Sequence, residues 1–388
     1  MYKKSHFNAI ICEYNPFHNG HKYHLQAVKA QNNHPTAVIM SGSFTQRGEA
    51  AIADKFTRAR LAVENGADLV IELPAVYALG SAQTFARGGV GIAEGMGCVE
   101  YLCFSAECGE LEPLKKAALA FEDEGFNNSL KEYMDKGSSY PLAVESAMRE
   151  TVSDEAARIV SEPNNTLAVE YIRAAQSLDF IVTKRKGARH DGVGGVENIR
   201  SASELRGLLR EGKGISAFSP AEPDEITDEK LLGRIILYKL RTMSAEDIKN
   251  LPDVSEGLEN RIVDAVKNAA SVEELLEKVK TKRYTMARLR RILCCALLGI
   301  TREMGKTPPP YIRALAFNEK GTEIMREIKE CGRLPLITNV ADGYKNLSDS
   351  AKRIFDIDIL ATDIHALAYK KIKPCAEDFK YQLKIIEN

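Results

Sequence analysis

The sequence predicts a doubly wound, Rossmann-like parallel α/β sheet followed by a mainly α-helical C-terminal domain. Three observations carry that expectation. Short apolar runs alternate with helical segments through the first half of the chain, the pattern of parallel βαβ units. Runs such as Leu69-Val70-Ile71 are apolar at consecutive positions, which suits strands covered on both faces. Beyond a Gly-, Ser- and Pro-containing stretch at 214–226, residues 228–300 read as strongly helical.

The elements follow in order. Residues 7–12 read as a buried strand, and 19–31 as a helix. Residues 36–41 read as a second strand, and a loop, Gly42–Glu49, follows it. Residues 54–65 suit a helix with Asp54 as N-cap and Gly66 just past its end. Asp68–Leu73 reads as a third strand closed by Pro74, 81–95 as a helix, and Tyr101–Ser105 as a fourth strand. A charged helical excursion occupies about 111–160. A capped amphipathic helix spans 164–177, and 179–184 reads as the fifth strand. A glycine-rich loop, Gly187–Gly195, leads to a helix from about Ser203. Residues 305–310 (Gly-Lys-Thr-Pro-Pro-Pro) form a break, and 311–388 read as mixed but mostly helical. The expected domains are 1–215, carrying the excursion, and 216–388.

Composition narrows the function classes. A chain of 388 residues with 44% hydrophobic content can bury a sizeable core; that length is a soft prior for two or three domains. The formal net charge of -1 means that contact with nucleic acid rests on a local patch rather than on the whole surface. No apolar run approaches the roughly 20 residues of a membrane span, so no membrane partner is expected. The first residues, Met-Tyr-Lys-Lys-Ser-His, lack the apolar core of a signal peptide. The eight cysteines form no Cys-x-x-Cys. Reduced thiols, a cytoplasmic location and no metal site are therefore expected.

The chemistry concentrates in residues 9–24, where an apolar run ends in a Pro-containing turn and opens onto His18-Asn19-Gly20-His21. A strand–turn–His-x-Gly-His unit points to attack on the α-phosphate of a nucleotide. The two imidazoles sit one turn apart at a helix start, where backbone amides and the helix dipole favour phosphate. They add donors that follow charge developing on the α-phosphate and pyrophosphate. Gly20 removes a Cβ where a nucleotide must approach closely. Two ordinary helix histidines are the plain alternative, and a metal pair lacks a suitably spaced third ligand.

Other motifs are weaker singly. In Ser201-Ala-Ser-Glu-Leu-Arg206, Ser203 suits a helix cap that presents amides and Arg206 to phosphates. The loop Ser41–Glu49, with Asp54, Lys55 and Arg58 beyond it, follows a strand end where open α/β sheets bind substrates. Pro163-Asn164-Asn165 offers an N-cap or a contact to a base or ribose, and Lys184–Asp191 is a basic, glycine-containing loop. The string Gly299–Thr307 resembles a phosphate loop but has five residues between its glycines and precedes three prolines, so it is rejected. Residues 278–291 hold seven basic side chains and one tyrosine in about four turns. That is an electrostatic footprint suited to RNA through Lys280, Lys282, Arg283, Arg288, Arg290 and Arg291. A solvated helix face is the plain alternative.

Taken in order, Glu13-Tyr-Asn-Pro-Phe-His-Asn-Gly-His21, Met40–Glu49, Gly66–Pro74, Pro163–Asn165, Ser201–Arg206 and Pro310-Tyr-Ile-Arg313 resemble the tRNA(Met) cytidine acetate ligases, an HxGH nucleotidyltransferase-like family, over nearly the whole chain. The resemblance implies activation of acetate by ATP to acetyl-adenylate. It further implies acetyl transfer to N4 of the wobble cytidine of elongator tRNA(Met), with magnesium carried by the nucleotide. It implies catalytic roles for His18 and His21. It implies ATP contacts along the first strand and turn, at Ile11, Cys12, Glu13, Tyr14, Asn15, Pro16, Phe17, Asn19, Gly20 and His24. Ser105, Asn164, Arg185 and the second signature, Ser201, Ser203 and Arg206, complete that expected set. Two positions depart from the family pattern: Ser105 stands where glycine is common, and Arg189 where a tyrosine precedes His-Asp. The domain at 216–388 is then the expected tRNA-binding part. A small-molecule adenylyltransferase of cofactor biosynthesis is the alternative, but it leaves that half unexplained. A catalytically silent RNA-binding protein is a third reading, which the retained histidines disfavour.

Overall fold

The computed structural model describes residues 6–186 and 198–387. Nine strands are present among them: β1 (Phe7–Cys12), β2 (Thr36–Ser41), β3 (Phe44–Thr45), β4 (Glu49–Ala50), β5 (Leu69–Leu73), β6 (Val99–Ala106), β7 (Asp179–Lys184), β8 (Ile312–Phe317) and β9 (Leu336–Ile337). Seven form one sheet in the order β7-β6-β1-β2-β5-β8-β9, and β3 and β4 make a separate antiparallel hairpin. Strands β7, β6, β1, β2 and β5 run parallel, in register pairs such as Ile11 with Ile39 and Cys103 with Ile181.

Alternating side chains build both faces. Phe7, Ala9 and Ile11 of β1 and Leu69, Ile71 and Leu73 of β5 join one core cluster with the Ala82–Gly95 helix and the excursion helices. Ile10 of β1, Val38 and Met40 of β2 and Val70 of β5 join another, under the Asn19–Asn32 and Lys55–Glu64 helices. This is the doubly wound arrangement that consecutive apolar positions require. Order along the sheet reverses at β1, because the chain leaves it towards β2 and β5 and later returns on its other side through β6 and β7. The carboxyl end of β1 is therefore the crevice where such sheets bind ligands.

The expected cap forms where Asp54 accepts the Thr57 N–H at 2.8 Å, and Ser81 caps the Ala82–Gly95 helix. The 164–177 helix runs instead from Pro163 to Ala174. The C-terminal half departs more. Ile312–Phe317, expected within a mostly helical region, is a strand paired antiparallel to β5, with β9 parallel beside it. The sheet thus takes two strands from beyond residue 216. A six-residue apolar run does not distinguish strand from buried helix. Helices over 233–298, between β7 and β8, and the Asp349–Ala366 helix, after β9, enclose a third core cluster, which also takes Phe44 and Ala50 from the hairpin.

A buried charge network locks β8 to the sheet. Lys55, fully buried, lies 2.8 Å from both Glu72 and Asp378, and Arg313 of β8 pairs with the same two carboxylates. Tyr311 donates to Asp358 at 2.6 Å, and Asp358 also accepts the Ala75 N–H at 2.7 Å.

Candidate active site

The turn after β1 is built by backbone demands. Tyr14 takes a left-handed conformation (φ 44°), and the Asn15–Pro16 bond is cis. Asn15 Oδ1 accepts the Ile52 N–H at 2.7 Å, and the Phe17 carbonyl accepts from Ser219 Oγ at 2.8 Å. His18 is the N-cap of the following helix: its Nδ1 accepts the Gly20 N–H at 3.1 Å. A Cβ on Gly20 would lie 2.9 Å from the His18 ring, so glycine is what lets the cap close. Asn19 faces away from the helix, its side chain donating to the Asn198 carbonyl at 2.9 Å.

The imidazoles of His18 and His21 stack at 3.6 Å between centroids, and Tyr14 packs on His21 at 4.7 Å. His21 Nδ1 and His24 Nε2 are buried with no partner among the described residues. Burial, reinforced by the Arg185 cation, holds His18 down to about 3 and His24 to about 4. Burial and the neighbouring His18 push His21 well down too. Neutral imidazoles with orphaned nitrogens beside a helix N-terminus form a cradle whose missing partners are those a phosphate supplies. Among the described residues no group of three or more His, Cys, Asp or Glu is placed to hold a metal ion.

On the β6–β7 side, Glu107 organises the expected nucleoside contacts. Its carboxylate accepts the Asn164 and Asn165 backbone N–H groups at 3.3 and 2.9 Å and the Asn164 amide at 2.5 Å, capping the Pro163–Ala174 helix. Asn164 Oδ1 in turn accepts from Arg185 at 3.4 Å. Ser105 lies within β6, opposite Thr183. The loop departure at Arg189 and the Gly187–Gly195 stretch lie outside the described residues; of the basic loop Lys184–Asp191, only Lys184, Arg185 and Lys186 are described.

On the β2 side, Glu13 accepts the Gln46 N–H at 2.6 Å, and burial raises its carboxyl above the usual range. Arg58 is buried and braces the turn from below, donating to the Glu13 carbonyl at 2.7 Å and to the Ser41 and Gly42 carbonyls. Tyr14 and Phe17 are buried in the core cluster under the Asn19–Asn32 helix, with Cys12 packed against it, and Ile11 packs into the cluster on the other face of the sheet.

The second signature differs from expectation in two ways. Ser201, not Ser203, is the N-cap of the Ala202–Arg210 helix, in a capping box with Glu204. Arg206 does not extend towards open space. It is buried, donates to the Asn15 carbonyl at 2.9 Å and pairs with Glu49 at 3.3 Å, with Ser203 Oγ accepting at 3.1 Å. It braces the histidine turn instead of presenting a free cation, although its Nε remains unpartnered.

The basic stretch is not one helix face. The Val272–Val279 helix ends, a loop follows, and a new helix, Met286–Leu298, begins with Thr285 as cap. Arg288 donates to the Asp253 carbonyl at 2.9 Å and to Ser255. Arg291 is buried against Asp253 at 2.8 Å, and Arg290 pairs with Glu49. Arg283 pairs with Glu256 at 2.8 Å, and Lys280 donates to the Tyr284 carbonyl at 2.5 Å. Lys282 is exposed. Sequence spacing counted these charges but not the acceptors that folding brings to them from 49 and 253–256. Sequence reasoning also missed Glu107 and Glu49 as organisers of the site. Each sits just past a strand or in a hairpin, and only its long-range partners mark it.

A family model described as HIGH Nucleotidyl Transferase matches residues 6–379. The tRNA(Met) cytidine acetate ligase of Thermoanaerobacter sp. (strain X514) is 39% identical over 399 residues, covering 97% of this chain and 98% of that one. The enzyme of the same name from Clostridium kluyveri (strain NBRC 12016) is 36% identical, covering 94% and 95%. Among solved structures, Thermotoga maritima TmcAL bound with alpha-thio ATP superposes with a TM-score of 0.88 at 28% identity, covering 97% and 99%. Its apo form I superposes with a TM-score of 0.91, covering 98% and 99%.

Proposed function

The chain belongs to the tRNA(Met) cytidine acetate ligase family of HIGH nucleotidyl transferases, and we propose that it activates acetate with ATP and transfers the acetyl group to N4 of the wobble cytidine of elongator tRNA(Met). The observation that carries this reading is the stacked His18–His21 pair at the carboxyl end of β1, with His21 Nδ1 and, beside it, His24 Nε2 left without a partner among the described residues.

ATP lies with its adenosine towards Asn164, Arg185 and Ser105 and its phosphates over the helix start at His18–His21. Alignment matters more than a base here, because acetate is already an anion. Its carboxylate oxygen bonds to the α-phosphorus, and the bond to the pyrophosphate oxygen breaks. His18, His21 and His24 donate to the phosphate oxygens as charge builds there. Magnesium would be held chiefly by the nucleotide's phosphates and water, where it would neutralise charge on the leaving pyrophosphate. The N4 amine of the cytidine then bonds to the acetyl carbon, AMP leaves, and the amine loses a proton. The cytidine must be unstacked to reach a mixed anhydride in this crevice, which an anticodon loop permits. Free thiols at all eight cysteines suit a reducing, cytoplasmic setting. No described helix is long and apolar enough to cross a membrane.

The test is incubation with ATP, labelled acetate and unmodified tRNA(Met). Acetylated tRNA and stoichiometric AMP are expected. A folded, ATP-binding preparation that yields neither overturns the reading. Exchange of pyrophosphate stimulated by a phosphorylated metabolite instead of acetate supports the adenylyltransferase alternative.

A further inference from the structure

Two cysteines from opposite halves of the chain meet at the amino end of the sheet. Cys98 stands in the turn between the Ala82–Gly95 helix and β6, and Cys331 is the last residue of the Glu319–Cys331 helix, which joins β8 to β9. Cys98 is buried in the core cluster that holds the Ala82–Gly95 helix, and Cys331, partly exposed, packs against the same cluster. Nothing in the chemistry at the histidine turn uses either thiol.

Backbone geometry sets up the approach. Gly97 takes a left-handed conformation (φ 73°), and a Cβ there would lie 2.2 Å from the Cys331 carbonyl oxygen, so glycine is what lets the two segments touch. The Arg333 N–H donates to the Gly95 carbonyl at 2.8 Å, which fixes the segment after Cys331 on the turn before Cys98. Cys331 Sγ lies 3.1 Å from the Glu327 carbonyl and 3.8 Å from the carbonyl of Met96, two residues before Cys98, and the Cys98 thiol meets it there. A disulfide needs Cα atoms within about 7 Å and side chains that converge; touching backbones and meeting thiols suit both demands.

Reactivity is divided between the two. Burial, reinforced by the neighbouring Cys331 thiol, pushes the Cys98 thiol well up, so Cys98 does not start an exchange with a soluble oxidant. Cys331 is the thiol that solvent reaches.

We propose that Cys98 and Cys331 form a reversible disulfide, with a low-molecular-weight disulfide as oxidant, and that this bond staples the C-terminal half of the chain to the parallel sheet. Cys331 Sγ, as thiolate, bonds to one sulfur of the small disulfide, whose S–S bond breaks and releases one thiolate. Cys98 then gives its proton to solvent, its sulfur bonds to Cys331 Sγ, and the second small thiolate leaves. The protein thiols lose two electrons and two protons in all, and the small disulfide takes them up as two thiols. The buried network of Lys55, Glu72, Arg313 and Asp378 already ties β8 to β5 near the carboxyl end of β5. The disulfide ties the same half of the chain at the opposite end of the sheet. It closes the chain from 98 to 331, and a long closed loop is where a cross-link most restricts the unfolded state. The eight residues of β6, about 25 Å of strand, separate Cys98 from Glu107, so the proposal stands apart from the acetyl-transfer reading.

The full-length protein is equilibrated with oxidised glutathione, its remaining thiols are blocked by alkylation, and it is digested without reductant. Mass spectrometry is expected to find a peptide pair linked through Cys98 and Cys331 that dithiothreitol separates. Cys98→Ala is expected to hold glutathione on Cys331, because the second thiol is missing. The oxidised wild type is expected to melt about 5 °C above the reduced protein. Cys331→Ala, treated in the same way, is expected to show no such rise, which subtracts the effect of adducts at other cysteines. Alkylated Cys98 and Cys331 after equilibration overturn the disulfide, as does a glutathione adduct that persists on Cys331 of the wild type. A linked wild type that gains no more in melting temperature than Cys331→Ala overturns the staple.

Discussion

His18 and His21 face each other ring to ring, 3.6 Å between centroids and 22° between planes, and among the described residues no carboxylate holds either ring. Two cations cannot share that space cheaply, so the pair is neutral in the free protein. An unfolded chain protonates its histidines below their ordinary value of 6.5, while the folded chain keeps His18 unprotonated to about 3 and His24 and His365 to about 4. Stability is therefore full above pH about 6.5 and is lost as pH falls from there towards 4 and 3. Denaturant titrations across that window check this; a flat profile contradicts it.

A triphosphate beside these rings favours their charged forms. ATP binding is then accompanied by proton uptake, larger near pH 6 than near pH 8. Calorimetry in buffers of different ionisation enthalpy measures that uptake directly.

His18 has two separable duties, capping and donating. Asparagine caps a helix as well as most residues but supplies no imidazole to the phosphates. His18→Asn is expected to keep the melting temperature within a few degrees while lowering acetate-dependent pyrophosphate exchange about 100-fold. His18→Ala is expected to lose both activity and about 1 kcal/mol of stability. Equal exchange in wild type and His18→Asn removes His18 from the chemistry.

Glu107 holds Asn164 through its side chain and the helix start through two backbone amides. Glu107→Ala is expected to raise the KM for ATP about tenfold and cost about 1–3 kcal/mol. Leaving the KM unchanged shows that Asn164 is placed without it.

Arg291 belongs to the fold rather than to an RNA surface, being buried against Asp253. Arg291→Glu puts two carboxylates together and is expected to lower the melting temperature sharply, by about 3–5 kcal/mol of stability. Lys55→Met acts similarly, because it leaves Glu72 and Asp378 facing each other with Arg313 as their remaining cation. Thermal melts of both variants check the two claims. A normal melt with weakened tRNA binding in Arg291→Glu restores the surface role.

Local rules made much of this protein legible from its sequence. The β1 strand, the Pro-containing turn, the histidine pair and the Asp54 cap follow from apolar periodicity, backbone preference and hydrogen-bond chemistry acting within a few residues. The order of the motifs placed the chain in its family, as the comparisons bear out. Tertiary structure alone decided the rest. Arg206, Glu49 and Arg290 meet across 241 residues of chain, and no spacing rule links them. The arginines of the basic run, Arg283, Arg288, Arg290 and Arg291, are taken up by acceptors at Glu49 and Asp253–Glu256 that arrive from other elements. The Ile312–Phe317 run becomes a strand because β5 offers it an edge, not because its own residues demand one. Propensity and capping act along the chain, whereas a charge takes the partner that packing brings to it.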